Sequence, residues 1–390
     1  MLLAIFLYMI YLMKNTFFNE PECRKKLSEF VLTAQRLSMD VKCREFEKEF
    51  AKYQGRKYAV FVNSGSSANL ALIQSLLNLG LIKKGDKVGF SAVTWPTNVM
   101  PLIQLGLEAV PVDVSEKNLN VNVENLIGLK EKIKVLFVTN LLGFSGRITE
   151  VKEYCEKNKI ILLEDNCESL GSKVDGKKLG NFGLASTFSF FVGHHLSTIE
   201  GGMICTDDSN LHDMLTMVRA HGWSRNIDKN AESGLREKYN VSEFYNKYTF
   251  YYPAYNFRPM EINGFLGLEQ LKYMDEIHKR RAENFKKYVS AAKNNVDFHK
   301  LDFSHMEFIS NFAYPVICAN KEVFAKYLEK FRDVEIRPIV GGSTVEQPFF
   351  NGKKYSCPNA KKIHELGFYV PNNPDLTADE VKTICKILEG

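Results

Sequence analysis

No two of the eight cysteines in this 390-residue chain (Cys23, Cys43, Cys155, Cys167, Cys205, Cys318, Cys357 and Cys385) form a Cys-x-x-Cys pair. That pattern excludes the common zinc ribbons and fits reduced thiols in a cytosol better than a disulfide framework. No dense Lys/Arg block interleaved with aromatics occurs. The net charge of +5 is spread along the chain, so nucleic acid is not an expected partner. There is no internal repeat and no low-complexity segment. The apolar start, residues 1–13 (MLLAIFLYMIYLM), falls short of the ~20 residues that span a bilayer. It also lacks the charged leader and small-residue cleavage site of a signal peptide. The expectation is an apolar N-terminal extension over 1–14, with Met13 as a candidate true start and a weak membrane-contacting tail as the rival. A cytoplasmic location follows from the same absences.

What is present points to a globular enzyme. Hydrophobic residues make up 45% and charged residues 25%, which suits a chain with a sizeable core. Short apolar runs at 59–62, 87–90, 109–113, 135–139, 160–163, 187–192 and 203–206 read as strands. Helical segments separate most of them, which predicts a mostly parallel sheet in an α/β domain. A long helix over 261–293 is expected to bridge to a smaller C-terminal α/β domain. The expected boundaries are 15–275 for the large domain and 276–390 for the small one.

Several turns carry chemistry. Gly65, Ser66 and Ser67 stand between a strand and a helix, where backbone amides can approach an anion. Trp95, one of two tryptophans, follows the second strand and precedes Pro96. Asp165 and Glu168 follow the 160–163 strand, and ligands bind at such strand ends in α/β sheets. The stretch 187–202, TFSFFVGHHLSTIEGG, is the most unusual in the chain. It is a strand that ends in a turn bearing two adjacent histidines.

In combination these motifs resemble the DegT/DnrJ/EryC1/StrS sugar aminotransferases, a branch of the fold-type I pyridoxal phosphate (PLP) enzymes with an aspartate aminotransferase-like fold. The resemblance runs from about residue 27 to the C-terminus. It implies a seven-stranded sheet, and phosphate contacts from Gly65, Ser66, Ser67 and Ser189. It also implies that Trp95 stacks on the pyridine ring, Asp165 pairs with the ring nitrogen and Glu168 contacts the ring hydroxyl. Asn256 would reach the phosphate of a neighbouring subunit, making a homodimer with shared active sites. The departure is at residue 194. The family places its cofactor-binding lysine five residues after the serine, and this chain has His194. An imidazole moves protons but does not hold an aldehyde covalently.

That histidine points to the nucleotide-sugar 3-dehydratase branch, most like the members acting on GDP-4-keto-6-deoxymannose in colitose formation. The implied reaction removes the C3 oxygen of a GDP-4-keto-6-deoxy hexose or heptose. L-Glutamate would form pyridoxamine phosphate (PMP), and 2-oxoglutarate and ammonia would be released. His221 and Arg225 are carried over as glutamate contacts, and Arg337 is a candidate for an anionic group. The related CDP-sugar enzymes carry an iron–sulfur cluster ligated by cysteines after the His-Gly-Trp segment. Residues 224–242 contain no cysteine, so no metal, no cluster and no reductase partner are expected. Two rivals remain: an aminotransferase using another lysine such as Lys178, and a non-catalytic PMP-binding fold.

Overall fold

Seven five-residue strands build the central sheet: β1 (Tyr58–Val62), β2 (Lys87–Ser91), β3 (Glu108–Val112), β4 (Val135–Thr139), β5 (Ile161–Asp165), β6 (Ala185–Ser189) and β7 (Gly202–Thr206). The computed structural model describes residues 9–350 and 354–390; residues 1–8 of the apolar start lie outside them. The spatial order is β1-β7-β6-β5-β4-β2-β3. β7 runs antiparallel to both its neighbours and the other registers are parallel. Burial explains the composition. Helices cover both faces, so a strand such as β4, VLFVT, is apolar at nearly every position rather than at alternate ones.

The strand expected over 187–192 is placed two residues earlier and stops at Ser189. The apolar run that follows serves packing instead. Phe190 is fully buried with its ring 5.3 Å from Phe46 and 5.2 Å from Phe50. Both belong to the helix α1 (Val41–Gln54). Glu261 accepts the first amides of that helix, including Asp40 at 2.6 Å, and thereby ties its start to the helix α3 described below.

The helix α2 (Gly65–Asn78) follows β1 directly. The long helix expected over 261–293 is two helices, α3 (Glu261–Leu271) and α4 (Met274–Ala292), broken at Lys272 and Tyr273. Beyond them a second antiparallel sheet has the order β8 (Ala313–Ile317), β10 (Gly367–Pro371), β9 (Arg337–Pro338). One hydrophobic core runs from this sheet to the central one. It joins Val334 and Phe368 to Phe285, Phe144 and Leu142. Residues 10–14 pack on the same region. Ile10 is buried and pairs in parallel with Val334, and Lys14 bridges to Glu380 at 2.9 Å.

Buried polar groups stiffen the sheet beside the site. Glu164 is fully buried and accepts the amides of Phe182 (2.7 Å), Gly180 (2.8 Å) and Gly183 (2.8 Å). This ring of donors offsets the cost of burying the carboxylate and fixes the segment between β5 and β6.

Candidate active site

Asp165 ends β5, and it pairs across the sheet with Thr187 of β6. It is buried, and its orientation is fixed from three sides. Asn69 of α2 and Asn98 donate to Oδ2 at 3.0 and 2.7 Å, and the Cys167 amide donates to Oδ1 at 2.9 Å. Asn98 is itself aimed. The Thr94 hydroxyl donates to its amide oxygen at 3.0 Å while sharing a 2.6 Å bond with the Thr139 hydroxyl. Asn69, Asn98, Thr94 and Thr139 were not read as site residues from the sequence. The available signal was an amide in an apolar run: Asn69 is flanked by Ala68, Leu70 and Ala71 yet fully buried.

The start of α2 meets the end of β6. A Cβ on Gly65 would lie 2.7 Å from Ser189 Cβ, so only glycine permits this approach. Ser64 caps the helix, its hydroxyl accepting the Ser67 amide at 3.0 Å and its carbonyl the Ala68 amide. The amides of Gly65 and Ser66 have no partner among the described residues. A positive helix end, two free amides and the hydroxyl of Ser189 fit a phosphate monoester. Trp95 is 55% exposed and directly precedes the turn Pro96–Asn98 that holds Asp165. Its free indole face suits a flat heteroaromatic ring. Phosphate cradle, aromatic face and buried carboxylate together fit pyridoxal or pyridoxamine phosphate.

Glu168 accepts the Leu142 amide at 2.8 Å, with Leu142 held at a left-handed φ of 55°. Burial pushes the Glu168 carboxyl up to about 8, the Asp165 charge adds to this, and the Leu142 amide opposes it. The folded protein therefore holds a proton that the unfolded chain releases once pH exceeds about 4.5. Stability is expected to fall with rising pH from about 4.5 to about 8 for this reason. Glu168→Gln keeps an acceptor for Leu142 and should flatten that part of the curve. Thermal melts of the cofactor-free protein across this window check it; parallel curves for variant and parent would refute the assignment.

His194 and His195 part company. The His194 amide donates to the Phe191 carbonyl at 2.9 Å, closing a turn that leaves its ring half-buried and 5.3 Å from Phe312. Burial lowers its pKa to about 4, while Asp165 and the Cys167 carbonyl pull the other way. At neutral pH it is thus a neutral base beside Asp165. His195 is buried, with Nε2 2.9 Å from the Ser310 carbonyl.

The remaining expected site residues lie further out. Asn256 is exposed and bridges Ala220, while the His221 amide donates to Tyr255 at 2.7 Å. The Asn63 amide donates to the Phe257 carbonyl at 2.9 Å, which fastens this segment beside the start of α2. Arg225 lies 4.2 Å over the Trp223 ring and donates to the Lys247 carbonyl. Arg337 is exposed and pairs with Glu335 at 2.6 Å. The contacts of Arg225 and Arg337 are with these neighbours rather than with the Asp165 group. Lys178 stacks on Tyr53, 3.6 Å from the ring centroid. It lines a cavity of about 310 Å³ with His278, Asp275 and Lys279 that includes none of the cofactor-site residues. Among the described residues, no group of three or more His, Cys, Asp or Glu could hold a metal ion. No described helix is long and apolar enough to cross a membrane.

Comparison with known proteins bears on this arrangement. The sequence profile of the DegT/DnrJ/EryC1/StrS aminotransferase family matches residues 20–389. GDP-4-keto-6-deoxy-D-mannose 3-dehydratase of Yersinia pseudotuberculosis is 33% identical over 377 residues, covering 92% of this chain and 93% of its own. The solved structure of the Escherichia coli GDP-4-keto-6-deoxy-D-mannose-3-dehydratase with bound hydrated PLP is 32% identical. It superposes with a TM-score of 0.87 over 97% of this chain and 99% of that one. A GDP-4-keto-6-deoxymannose-3-dehydratase with a trapped PLP-glutamate geminal diamine superposes with a TM-score of 0.85 at 32% identity, over 97% and 99%.

Proposed function

The chain belongs to the DegT/DnrJ/EryC1/StrS aminotransferase family, and from that membership we propose a PLP-dependent 3-dehydratase of a nucleotide-linked 4-keto-6-deoxy sugar. The substrate is GDP-4-keto-6-deoxymannose or the related heptose, and L-glutamate is the amino donor. One observation carries this reading. At the end of β6, beside Asp165, stands a neutral histidine where a covalent lysine would make an aminotransferase. The curated and solved relatives named for this dehydration, at 32–33% identity over more than nine-tenths of the chain, support it.

The cofactor, when bound, supplies an amine carrier and an electron sink. The protein does the rest. Gly65, Ser66 and Ser189 would hold its phosphate, with Ser67 bound into the helix cap beside them. Asp165 would hold the ring nitrogen charged, and Trp95 would offer its indole face to the ring. His194 takes a proton from the reacting carbon and returns it, first with glutamate and then with the sugar. An imidazole at residue 194 cannot bond covalently to an aldehyde, so it would leave the cofactor's amine form free for a ketone substrate. His221 and Arg225 are the proposed glutamate contacts and Arg337 an anion contact. The exposed position of Asn256 supports a homodimer in which it reaches the neighbour's phosphate. A cytoplasmic enzyme of 3,6-dideoxysugar synthesis for lipopolysaccharide or capsule is the setting that fits.

Mass spectrometry of the nucleotide sugar tests the reading. Purified protein is incubated with PLP, glutamate and GDP-4-keto-6-deoxymannose, without a reductase. The expected product is lighter by one oxygen, with 2-oxoglutarate and ammonia released. An aminated sugar would reverse the assignment in favour of an aminotransferase. Glutamate-driven 2-oxoglutarate formation without a new sugar would mean a different nucleotide sugar.

A further inference from the structure

A tryptophan whose ring is free to meet a ligand has to be placed by its backbone. With 55% of its surface exposed, Trp95 is not locked by packing of its ring. On its C-terminal side the chain is stiff. Pro96 confines the residue before it to extended backbone, and Trp95 has φ −80° and ψ 145°. The Trp95 carbonyl accepts the Asn98 amide at 3.1 Å. On its N-terminal side Thr94 is buried, with its hydroxyl between Thr139 and Asn98. The joint between these two fixed parts is the peptide plane that carries the Thr94 carbonyl and leads into Trp95.

A second stretch of chain closes on that joint. It follows β9 and runs antiparallel to residues 92–94. The Thr344 amide donates to the Ala92 carbonyl at 2.8 Å, and Ser343 pairs with Val93. Gly341 meets the next residue. A Cβ on it would lie 2.3 Å from the Thr94 oxygen and 3.5 Å from Pro96 Cδ. The first neighbour is backbone, so only glycine permits the approach. Gly341 therefore touches the chain on either side of Trp95 in sequence and leaves the indole in the open.

Gly341 is itself held in place. It belongs to the turn Ile339–Gly342, closed by the Gly342 amide on the Ile339 carbonyl at 2.7 Å. Val340 takes a left-handed φ of 45° there, a conformation that β-branched residues rarely adopt. Such strain persists only where the surroundings over-determine it. Here Ile339 is fully buried, Val340 packs on the hydrophobic core, and Gln347 Nε2 donates to the Gly341 carbonyl at 2.8 Å. A Cβ on Gly342 would lie 2.1 Å from His364 Nδ1, which closes the far side of the turn.

We propose, on the reading of Trp95 as the face over the cofactor ring, that residues 339–344 are a buttress that sets the angle of that face, with Gly341 and Gln347 as positioning residues. The second sheet thus contributes to the cofactor site without touching the cofactor. A buttress and a plain packing contact differ in what their loss does. Loss of a packing contact weakens every ligand alike. Loss of the buttress weakens only a ligand that carries a ring, and only while Trp95 is there to be misplaced.

A double-mutant cycle on PMP affinity tests this, measured by equilibrium dialysis of the cofactor-free protein. Inorganic phosphate serves as a second ligand that has no ring. Gly341→Ala and Trp95→Ala are each expected to weaken PMP about three- to tenfold, the worth of one aromatic stacking contact. Combined, they should lose no more than Trp95→Ala alone. The dissociation constant for phosphate should stay at the parent value throughout. Gln347→Met removes the hydrogen bond on Gly341 without a clash. It should show a smaller loss with the same dependence on Trp95, and it carries the test if Gly341→Ala does not fold. Equal weakening of PMP and phosphate, or a loss that persists in full in the Trp95→Ala background, would make the turn a packing element and overturn the proposal. So would parent-like PMP binding in a folded Gly341→Ala protein, or in Gln347→Met where the first variant does not fold. A Trp95→Ala protein that binds PMP like the parent would overturn the stacking role of Trp95 and the buttress with it, while leaving the roles of His194 and Asp165 standing.

Discussion

His194→Asn is expected to bind the cofactor as the parent does and to lose both half-reactions. Proton transfer by a positioned side chain is worth roughly 10²–10⁴-fold in rate. In the proposed mechanism one ring serves two transfers, so both 2-oxoglutarate formation and sugar dehydration should fall by at least that factor. Binding should survive because nothing that grips the proposed cofactor comes from residue 194. The proposed phosphate contacts come from the start of α2 and from Ser189, and the proposed ring contacts from Trp95 and Asp165. Asparagine is nearly as polar and cannot act as a base near neutral pH. Single-turnover formation of 2-oxoglutarate, measured beside the cofactor's absorbance after gel filtration, reads the two properties separately. Wild-type turnover in that variant would refute the role assigned to the histidine. Loss of cofactor together with loss of turnover would instead make His194 a structural residue.

The parts of the site that were legible in the sequence are those in which a local rule is broken. Glycine and serines interrupt an apolar strand-to-helix pattern at 65–67, a carboxylate ends β5, and a histidine replaces a lysine five residues past Ser189. Each is a short-range signal. What holds these groups came from far away in the chain and left no such trace. Asn69 and Asn98 reach Asp165 across 96 and 67 residues, and the Leu142 amide reaches Glu168 across 26. Arg281 is a further case. Its helix shows only a charged run, Lys279-Arg280-Arg281, yet Arg280 pairs at the surface with Glu276 while Arg281 turns inward to the backbone carbonyls beside Phe312. The fold-level errors have a similar origin. The 187–192 run is apolar throughout, so pattern alone does not separate the strand from the aromatic packing of Phe190. The sheet itself was readable because it is buried on both faces, which makes its strands continuous apolar runs.

Asp165→Asn should be nearly as damaging as the loss of the histidine, for an electrostatic reason rather than a proton-transfer one. In the proposed site a carboxylate opposite the ring nitrogen would keep that nitrogen charged, and the charged ring is the electron sink the reaction needs. An amide offers no net charge, so both half-reactions are expected to slow by about 10²-fold or more. Some of the change will be structural. Asp165 accepts three hydrogen bonds, and an asparagine there sets its own NH₂ against either the Cys167 amide or the amides of Asn69 and Asn98. A buried donor left unpaired costs about 1–3 kcal/mol, which should appear as a lower melting temperature. Asn98→Ala separates the two contributions. It removes one 2.7 Å anchor and leaves the charge in place. If the charge is what matters, Asn98→Ala will lose stability comparably while keeping most of its 2-oxoglutarate formation, and Asp165→Asn will lose nearly all of it. Equal kinetic losses in the two variants would show that Asp165 acts through geometry alone.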